Sequence, residues 1–437
     1  MSTLSLALRK DRIARFVDVA RGEGLVTALR RARQHLGLIR AGQIGGVVAP
    51  APAPAATRYA LGPAWRDLAR KEAFHLTHPP AYLRRRRLVA MLGDLNLPQC
   101  RKYRVEQLDE LWRTRDVEYR FSHYEDVPRA CDLLNECTHL MLYRLGRSDL
   151  ASMYLYEARR LRLPVAYDID DPLFSVSAYA TYSNMGALDP GLQTHFLAQA
   201  PLYLDVMNMA DLLSFSTPGL VTHAQQYTAR PALLRRNFAD RQTLEAGKAA
   251  MERRPVREGF TVAVASGSAG HDADLAVIRP ALLAFLEADR TRRLLVLGQL
   301  DMGAVPNALC AQIETVGFRD YPRYLASLAR ADCAVMPLTD DAFNRCKSAV
   351  RVLDAAAVGV ASLVSSVGDL SSVVEDGVTG RVIGDDAGWG AALDDMARDP
   401  RAARAMGAAA RTALEKHWGA QAGFPVMDPR LAEWVIA

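Results

Sequence analysis

Short uninterrupted apolar runs alternate with amphipathic stretches along most of the chain. Leu88-Val89-Ala90-Met91-Leu92 has no polar interruption, which predicts a strand buried on both faces. The next stretch, Arg101 to Trp112, puts Val105, Leu108 and Leu111 on one helical face. Further strands are expected at Val117–Phe121, Leu140–Tyr143, Val165–Tyr167 and Leu212–Phe215. Helices are expected between them, over Pro128–Asn135, Leu150–Leu161 and Leu197–Met209, with another starting at Pro218. A polar, strand-poor stretch from Arg235 to Glu258 then interrupts the rhythm. It resumes with strands at Phe260–Val264, Leu294–Leu297, Cys333–Met336 and Ala361–Val364. The helices expected there span Leu275–Leu286, Tyr321–Ala329, Ser348–Val358 and Arg401–His417. Regular βα alternation predicts parallel, doubly wound sheets, and the interruption predicts two of them in tandem with a cleft between.

The organisation expected is therefore an α/β protein of two Rossmann-like domains. The first spans 57–240 and the second 241–420, with a tail over 421–437. Ahead of them, 1–56 form a basic arm that ends in an Ala/Pro-rich linker, Val47 to Ala56. In the arm, Leu6, Ile13, Phe16, Leu25, Leu29 and Leu36 alternate with Arg12, Arg15, Arg21, Arg30 and Arg33. That pattern suits a helix lying on an anionic membrane face, and equally a helix packed on its own protein.

Charge and cysteine usage narrow the function. A net charge of +5 without interleaved aromatic and basic residues argues against nucleic acid as a partner. The six cysteines show neither CxxC pairs nor histidines at zinc-like intervals, which fits a reducing cytoplasm. Arg9, Lys10, Arg12 and Arg15 break any secretory apolar run, and no stretch is apolar enough to span a bilayer.

The richest motif is Phe343-Asn344-Arg345-Cys346-Lys347-Ser348-Ala349-Val350-Arg351, between a strand and a helix. A polar, cationic loop at the carboxyl end of a parallel strand, followed by a helix amino end, suits an anion such as a nucleotide diphosphate. Asn344, Arg345, Lys347, Ser348 and Arg351 are the candidate donor contacts, and Asp354 on the same helix is placed to meet ribose hydroxyls. A glycine-bearing loop, Ser266 to Asp274, leaves the first strand of the second half. There Gly267, Ser268 and His271 are expected to line the phosphate and sugar pocket. A plain turn with Asp272 or Asp274 as helix cap reads the same way. In the first half, Asp168-Ile169-Asp170-Asp171 ends a strand. Asp168, Asp170 and Asp171 are expected to face the cleft, with crowding raising at least one carboxyl pKa, and to orient an acceptor hydroxyl. An Asp-x-Asp pair also matches Mg²⁺ or Mn²⁺ ligation, but the phosphate signals lie in the other half, and no metal is expected. Arg101, Arg104 and Arg144 are candidate contacts to an acceptor or a phosphate.

Taken together, Gly267-Ser268, His271 to Leu275, the Phe343 to Ser348 loop, Asp354 to Gly359, Glu375-Asp376-Gly377 and Thr379-Gly380 resemble the retaining glycosyltransferases of family 4, or group 1. The first half, with Gln99 to Val105 and Tyr167 to Asp171, is similar to members used in bacterial surface-polysaccharide assembly. The resemblance covers about residues 85–430. It implies a GT-B fold and sugar transfer from a nucleoside diphosphate sugar to a glycan or lipid-linked acceptor. It also implies retention of configuration, no metal or other cofactor, and a cytoplasmic site of action at the inner membrane face. The family usually carries two glutamates eight positions apart; this chain has Cys346 and Asp354 there. A catalytically inactive scaffold that binds sugar nucleotide or glycan is the alternative. A Rossmann oxidoreductase is disfavoured because neither half has GxGxxG after a strand.

Overall fold

The computed structural model describes residues 86–255, 258–266, 272–298, 305–423 and 426–436, together with positions between Phe16 and Arg33. The described positions of the arm are helical, with Leu25 and Leu29 exposed and Ala28 buried. Gly267, Ser268 and His271 lie outside the described residues, as do the Ala/Pro linker and most of the arm.

Two six-stranded sheets, parallel throughout, form the two lobes. The first contains β1 (Leu88–Gly93), β2 (Glu118–His123), β3 (His139–Tyr143), β4 (Val165–Ile169), β5 (Leu212–Phe215) and β6 (Ala232–Leu234), in the order β2-β1-β3-β4-β5-β6. The second contains β7 (Thr261–Ser266), β8 (Arg293–Gly298), β9 (Ile313–Val316), β10 (Cys333–Met336), β11 (Ala361–Ser365) and β12 (Gly380–Ile383), in the order β12-β11-β10-β7-β8-β9. In each sheet the order reverses direction beside the first strand, which is the crevice where α/β folds bind ligands. The central strands are buried along their whole length, while edge strand β2 is only partly buried. This is why β1 shows an uninterrupted apolar run in the sequence.

Three elements escape the hydrophobic pattern. Strands β6 and β9 lie at sheet edges; β6 is only three residues long, and β9 is interrupted by Glu314 and Thr315. The polar stretch after Arg235 contains a helix, Arg241–Glu252, capped by Asp240 Oδ1 on Thr243 N at 2.8 Å. Its buried positions are small: Thr243, Gly247 and Ala250. A Cβ on Gly247 would sit 2.1 Å from Ala357 O, so the helix lies flat on the second lobe through a glycine rather than through large apolar residues. The C-terminal segment is not a loose tail. Helix Pro429–Ile436 returns to the first lobe, where Leu431 and Val435 join Val89, Leu111 and Trp112 in one core. Among the described residues no helix is long and apolar enough to cross a membrane.

Candidate active site

The carboxyl ends of the two sheets meet along a seam, and the first lobe's contribution begins with an irregular helix. Helix Pro98–Arg101 runs into a π turn, Lys102–Glu106, before regular helix resumes at Gln107–Arg113. A π turn widens the helix and redirects successive side chains. Here three consecutive residues are buried and reach three different partners. Lys102 Nζ donates to Asp240 Oδ2 at 2.5 Å. The Tyr103 hydroxyl donates to Asp354 Oδ1 across the seam. Arg104 grips Asp168, Nε to Oδ1 at 2.9 Å and Nη2 to Oδ2 at 2.6 Å.

That last contact corrects the expectation for Asp168 and Arg104. Strand β4 runs to Ile169, so Asp168 is inside the ladder, paired with Tyr143 and Ser214, and its side chain lies on a sheet face rather than in the cleft. It is fully buried and accepts from Arg104, from Arg235 Nη2 at 2.8 Å and from Ser214 Oγ at 2.6 Å. Burial opposes its ionisation, but the two guanidinium groups prevail and hold the carboxyl below its ordinary pKa. Asp168 and Arg104 therefore form a structural ion triad with Arg235 and touch no acceptor.

Asp170 and Asp171 are placed differently. Asp170 accepts from the Tyr143 hydroxyl at 3.1 Å and from Arg144 Nη1 at 3.3 Å. The expected crowding of carboxylates is relieved by this cation, which also stands 3.9 Å from Asp171 Oδ1's partner oxygen, Oδ2. Arg144 adopts φ 51°, a left-handed conformation that a side-chain-bearing residue rarely holds, and this turns it from the end of β3 onto the aspartates. It is thus tied to Asp170 and to Cys100 Sγ at 3.3 Å. Arg101 instead pairs with Glu106 at 2.6 Å on the partly exposed side of its helix.

From the second lobe, Lys347 reaches the seam. Its Nζ lies 3.9 Å from Asp171 Oδ1, and 5.1 and 5.7 Å from the Phe343 and Tyr182 ring centroids. Burial pulls its pKa down, yet Asp171 and Tyr182 more than offset that, so the ammonium is held above its ordinary value. Ser348 Oγ accepts from Asn237 Nδ2 at 3.1 Å. Helix Val350–Ala357 follows, with no side chain capping its amino end. Arg351, on its first turn, makes no hydrogen bond or ion pair among the described residues, and it lines a small hollow with Ala265, Tyr324 and Met336.

The other candidates of this loop are not at the seam in the expected way. Asn344 is fully buried and knots the loop together, donating to Asp274 Oδ1 at 2.9 Å and to Thr339 O at 3.0 Å. Arg345 is exposed and pairs with Asp340 at 2.6 Å, because the 3₁₀ turn Asn344–Cys346 points it outward. Gly219 of the first lobe packs on the same turn: a Cβ there would meet Arg345 O at 2.3 Å.

Asp354 is not open to a ligand in this state. It is buried, and its Oδ1 accepts from Tyr103 and from Tyr321 at 2.8 Å, with Tyr324 also bonded to the carboxyl. Burial pushes its pKa up to about 6, against the hydroxyl donors and Lys102 that favour the ion. A folded-state value above the unfolded one stabilises the protein fully below about pH 4, and that advantage disappears as pH rises through about 6. Asp354→Asn removes the titration while keeping an acceptor oxygen. Its stability is expected to exceed that of wild type at pH 7.5 by an amount on the order of 2 kcal/mol, seen as a higher melting temperature, and to lose the wild-type slope between about pH 4 and 6. Parallel pH-melting curves for the two proteins would reveal an error.

Tyr103, Tyr321, Asn237 and Asn184 were not evident as site residues from sequence. Asn184 comes from the first lobe, accepts from Ala273 N at 2.9 Å and donates to Asp274 Oδ2 at 2.8 Å. A tyrosine inside a predicted helix looks like core, and an asparagine in a loop looks like a turn residue. Only the Lys102-Tyr103-Arg104 run, unusually polar for a buried helix, carried a signal.

Residues 264–399 match the family model described as glycosyl transferases group 1. No curated protein sequence matches the chain. Among solved structures, WaaG, a glycosyltransferase involved in lipopolysaccharide biosynthesis, aligns with a TM-score of 0.51 at 12% identity, over 80% of this chain and 100% of that one. Sucrose-phosphate synthase from Thermosynechococcus elongatus aligns with a TM-score of 0.50 at 15% identity, over 76% of this chain and 94% of that one. Anabaena Alr3699/HepE in complex with UDP gives 0.50 at 12% identity, over 79% and 98%. At these identities the structural likeness speaks to the fold, and the family match to the second lobe. The protein thus has the two-lobe GT-B fold, and residues 264–399 of its second lobe match the group 1 glycosyltransferase model.

Proposed function

We propose that the protein transfers a sugar, with retention of configuration, from a nucleoside diphosphate sugar to a glycan or lipid-linked acceptor, without a metal or other cofactor. The observation that carries this reading is the placement of Lys347 and Arg351. Both stand at the uncapped amino end of helix Val350–Ala357, and Lys347 faces Asp171 across the seam. As the glycosidic bond breaks, negative charge grows on the departing diphosphate. Fixed cations and a helix amino end stabilise that charge without reorganising. Gly267, Ser268 and His271 remain proposed neighbours of the phosphate and sugar. Asp170 and Asp171, held by Tyr143 and Arg144, would position the acceptor hydroxyl; Arg101 would contact the acceptor only by leaving Glu106. The similarity of the fold to a lipopolysaccharide enzyme supports a role in bacterial surface-polysaccharide or glycoconjugate assembly. That work would be done in the cytoplasm at the inner membrane face, with the basic arm as a peripheral contact.

The test is incubation with UDP- and GDP-sugars, with free nucleotide and the anomeric configuration of the product followed by NMR. Release of nucleoside diphosphate with a retained anomer is expected. An inverted product would overturn the stereochemical part, and no turnover with tight binding would favour a second reading. That reading, a non-catalytic sugar-nucleotide or glycan scaffold, has one observation in its favour. Cys346, standing where the family's first glutamate is usual, is buried, and its thiol donates to Ala342 O at 3.4 Å.

A further inference from the structure

Two sites where a donor would bind are already filled by groups from the opposite lobe. The first is Asp354. Of the three tyrosines on it, Tyr321 and Tyr324 belong to helix Tyr321–Leu328 of its own lobe. Tyr103 alone comes from the first lobe. Its hydroxyl also lies 3.2 Å from that of Tyr321, with the rings edge to face at 6.0 Å. Tyr103 and Asp354 are 4% and 3% exposed, so water does not compete for this contact. The second is the start of helix Asp272–Ala288, where Asn184 accepts from Ala273 N. Both contacts are of ligand kind: a hydroxyl on a carboxylate, and an oxygen on a helix-end N–H.

We propose that Tyr103 gates the donor site, its phenol standing on Asp354 where a ribose hydroxyl of the nucleoside diphosphate would bind, so that the donor enters only by displacing it. The inference rests on the donor reading given above for Asp354 and Lys347. The gate is built for reversibility. Lys102 anchors the adjacent backbone to Asp240, and Arg104 anchors it to the Asp168 triad, while the phenol between them is held by neutral hydroxyl contacts and the edge-to-face packing on Tyr321, with no ion pair of its own. Rotation of this one side chain withdraws the first lobe's group from Asp354 without disturbing either anchor, leaving the carboxylate to Tyr321 and Tyr324 of its own lobe. Tyr103 is thus a gating residue and takes no part in bond breaking.

Calorimetric titration of UDP, GDP and ADP into wild type, Tyr103→Phe and Tyr321→Phe tests the proposal. Phenylalanine keeps the ring that packs on Tyr321 and removes only the competing hydroxyl. Tyr103→Phe is expected to bind the preferred nucleotide about tenfold tighter, since a hydroxyl-to-carboxylate hydrogen bond no longer has to be broken. Steady-state kinetics should show KM for the donor falling by a similar factor with kcat little changed. Tyr321→Phe, which alters a group of the donor's own lobe, should show no gain. If wild type binds a nucleotide and Tyr103→Phe binds it equally or more weakly, the gate is wrong while the donor reading stands. If no nucleotide binds any of the three folded proteins, the donor reading fails and the gate with it.

Discussion

Replacing Lys347 with alanine is expected to weaken nucleoside diphosphate binding by about a hundredfold and to lower turnover by at least as much, since a charge-assisted contact in a partly dry site is worth roughly 2–3 kcal/mol. The argument starts from the site's balance of charge. On the second-lobe side, Lys347 and Arg351 are the cations at the start of the helix. The carboxylate nearest Lys347 is Asp171, at 3.9 Å, which is too long for a hydrogen-bonded pair. The ammonium is therefore held by the field of Asp171 and by two aromatic faces rather than by hydrogen bonds, and its hydrogen-bonding capacity is largely unspent. Its side chain is 19% exposed, so an arriving phosphate displaces little water from it. Arg345, two residues earlier, provides the control. It is exposed and already paired with Asp340, so Arg345→Ala should leave binding unchanged. Titration of UDP and GDP into both variants decides the matter. Equal affinities for wild type and Lys347→Ala would remove the role assigned to this lysine, and equal losses in both variants would reduce it to general surface charge.

Much of the fold was legible because buried parallel strands leave uninterrupted apolar runs. Leu88–Leu92 and Leu140–Tyr143 were recognisable for that reason, as were the amphipathic helices after them. The helix Arg241–Glu252 was not, because it packs through Gly247 and Ala250 and has no large apolar stripe to register. The site was legible only in outline. The strand-loop-helix order around Lys347 pointed to the seam, and the lysine is there. What the order of residues cannot convey is which way a polar side chain turns. Strand β4 extends one pleat further than the apolar run Val165-Ala166-Tyr167, and that single pleat puts Asp168 under the sheet and leaves Asp170 and Asp171 beyond it. A π turn likewise has no sequence period of its own, so the contact between Tyr103 and Asp354 was invisible.

The Asp168 triad yields the largest expected effect on stability. Asp168→Ala leaves Arg104 and Arg235 buried with no counter-charge, and breaking a buried ion pair on one side costs about 3–5 kcal/mol. The loss should be at the upper end here, because both guanidinium groups depend on the one carboxylate and are themselves fully buried. Arg235 Nη1 already lacks a hydrogen-bond acceptor, so the variant adds to an existing deficit. Asp171→Ala offers the contrast. Its contacts to Arg144 and Lys347 are 3.9 Å each and its side chain is 23% exposed, so its removal should cost stability little. Thermal melts of the two variants separate a structural aspartate from one that faces a substrate. Asp168→Ala should melt far below wild type, and Asp171→Ala close to it with reduced transfer. Replacing all three triad residues with apolar ones of similar volume should recover most of the lost stability, since a buried ionic cluster and a packed apolar one are often nearly equal in free energy. If Asp168→Ala instead melts like wild type and loses only activity, the carboxylate is reaching the substrate after all. The sheet would then have to present it to the cleft, against the pleat that β4 now shows.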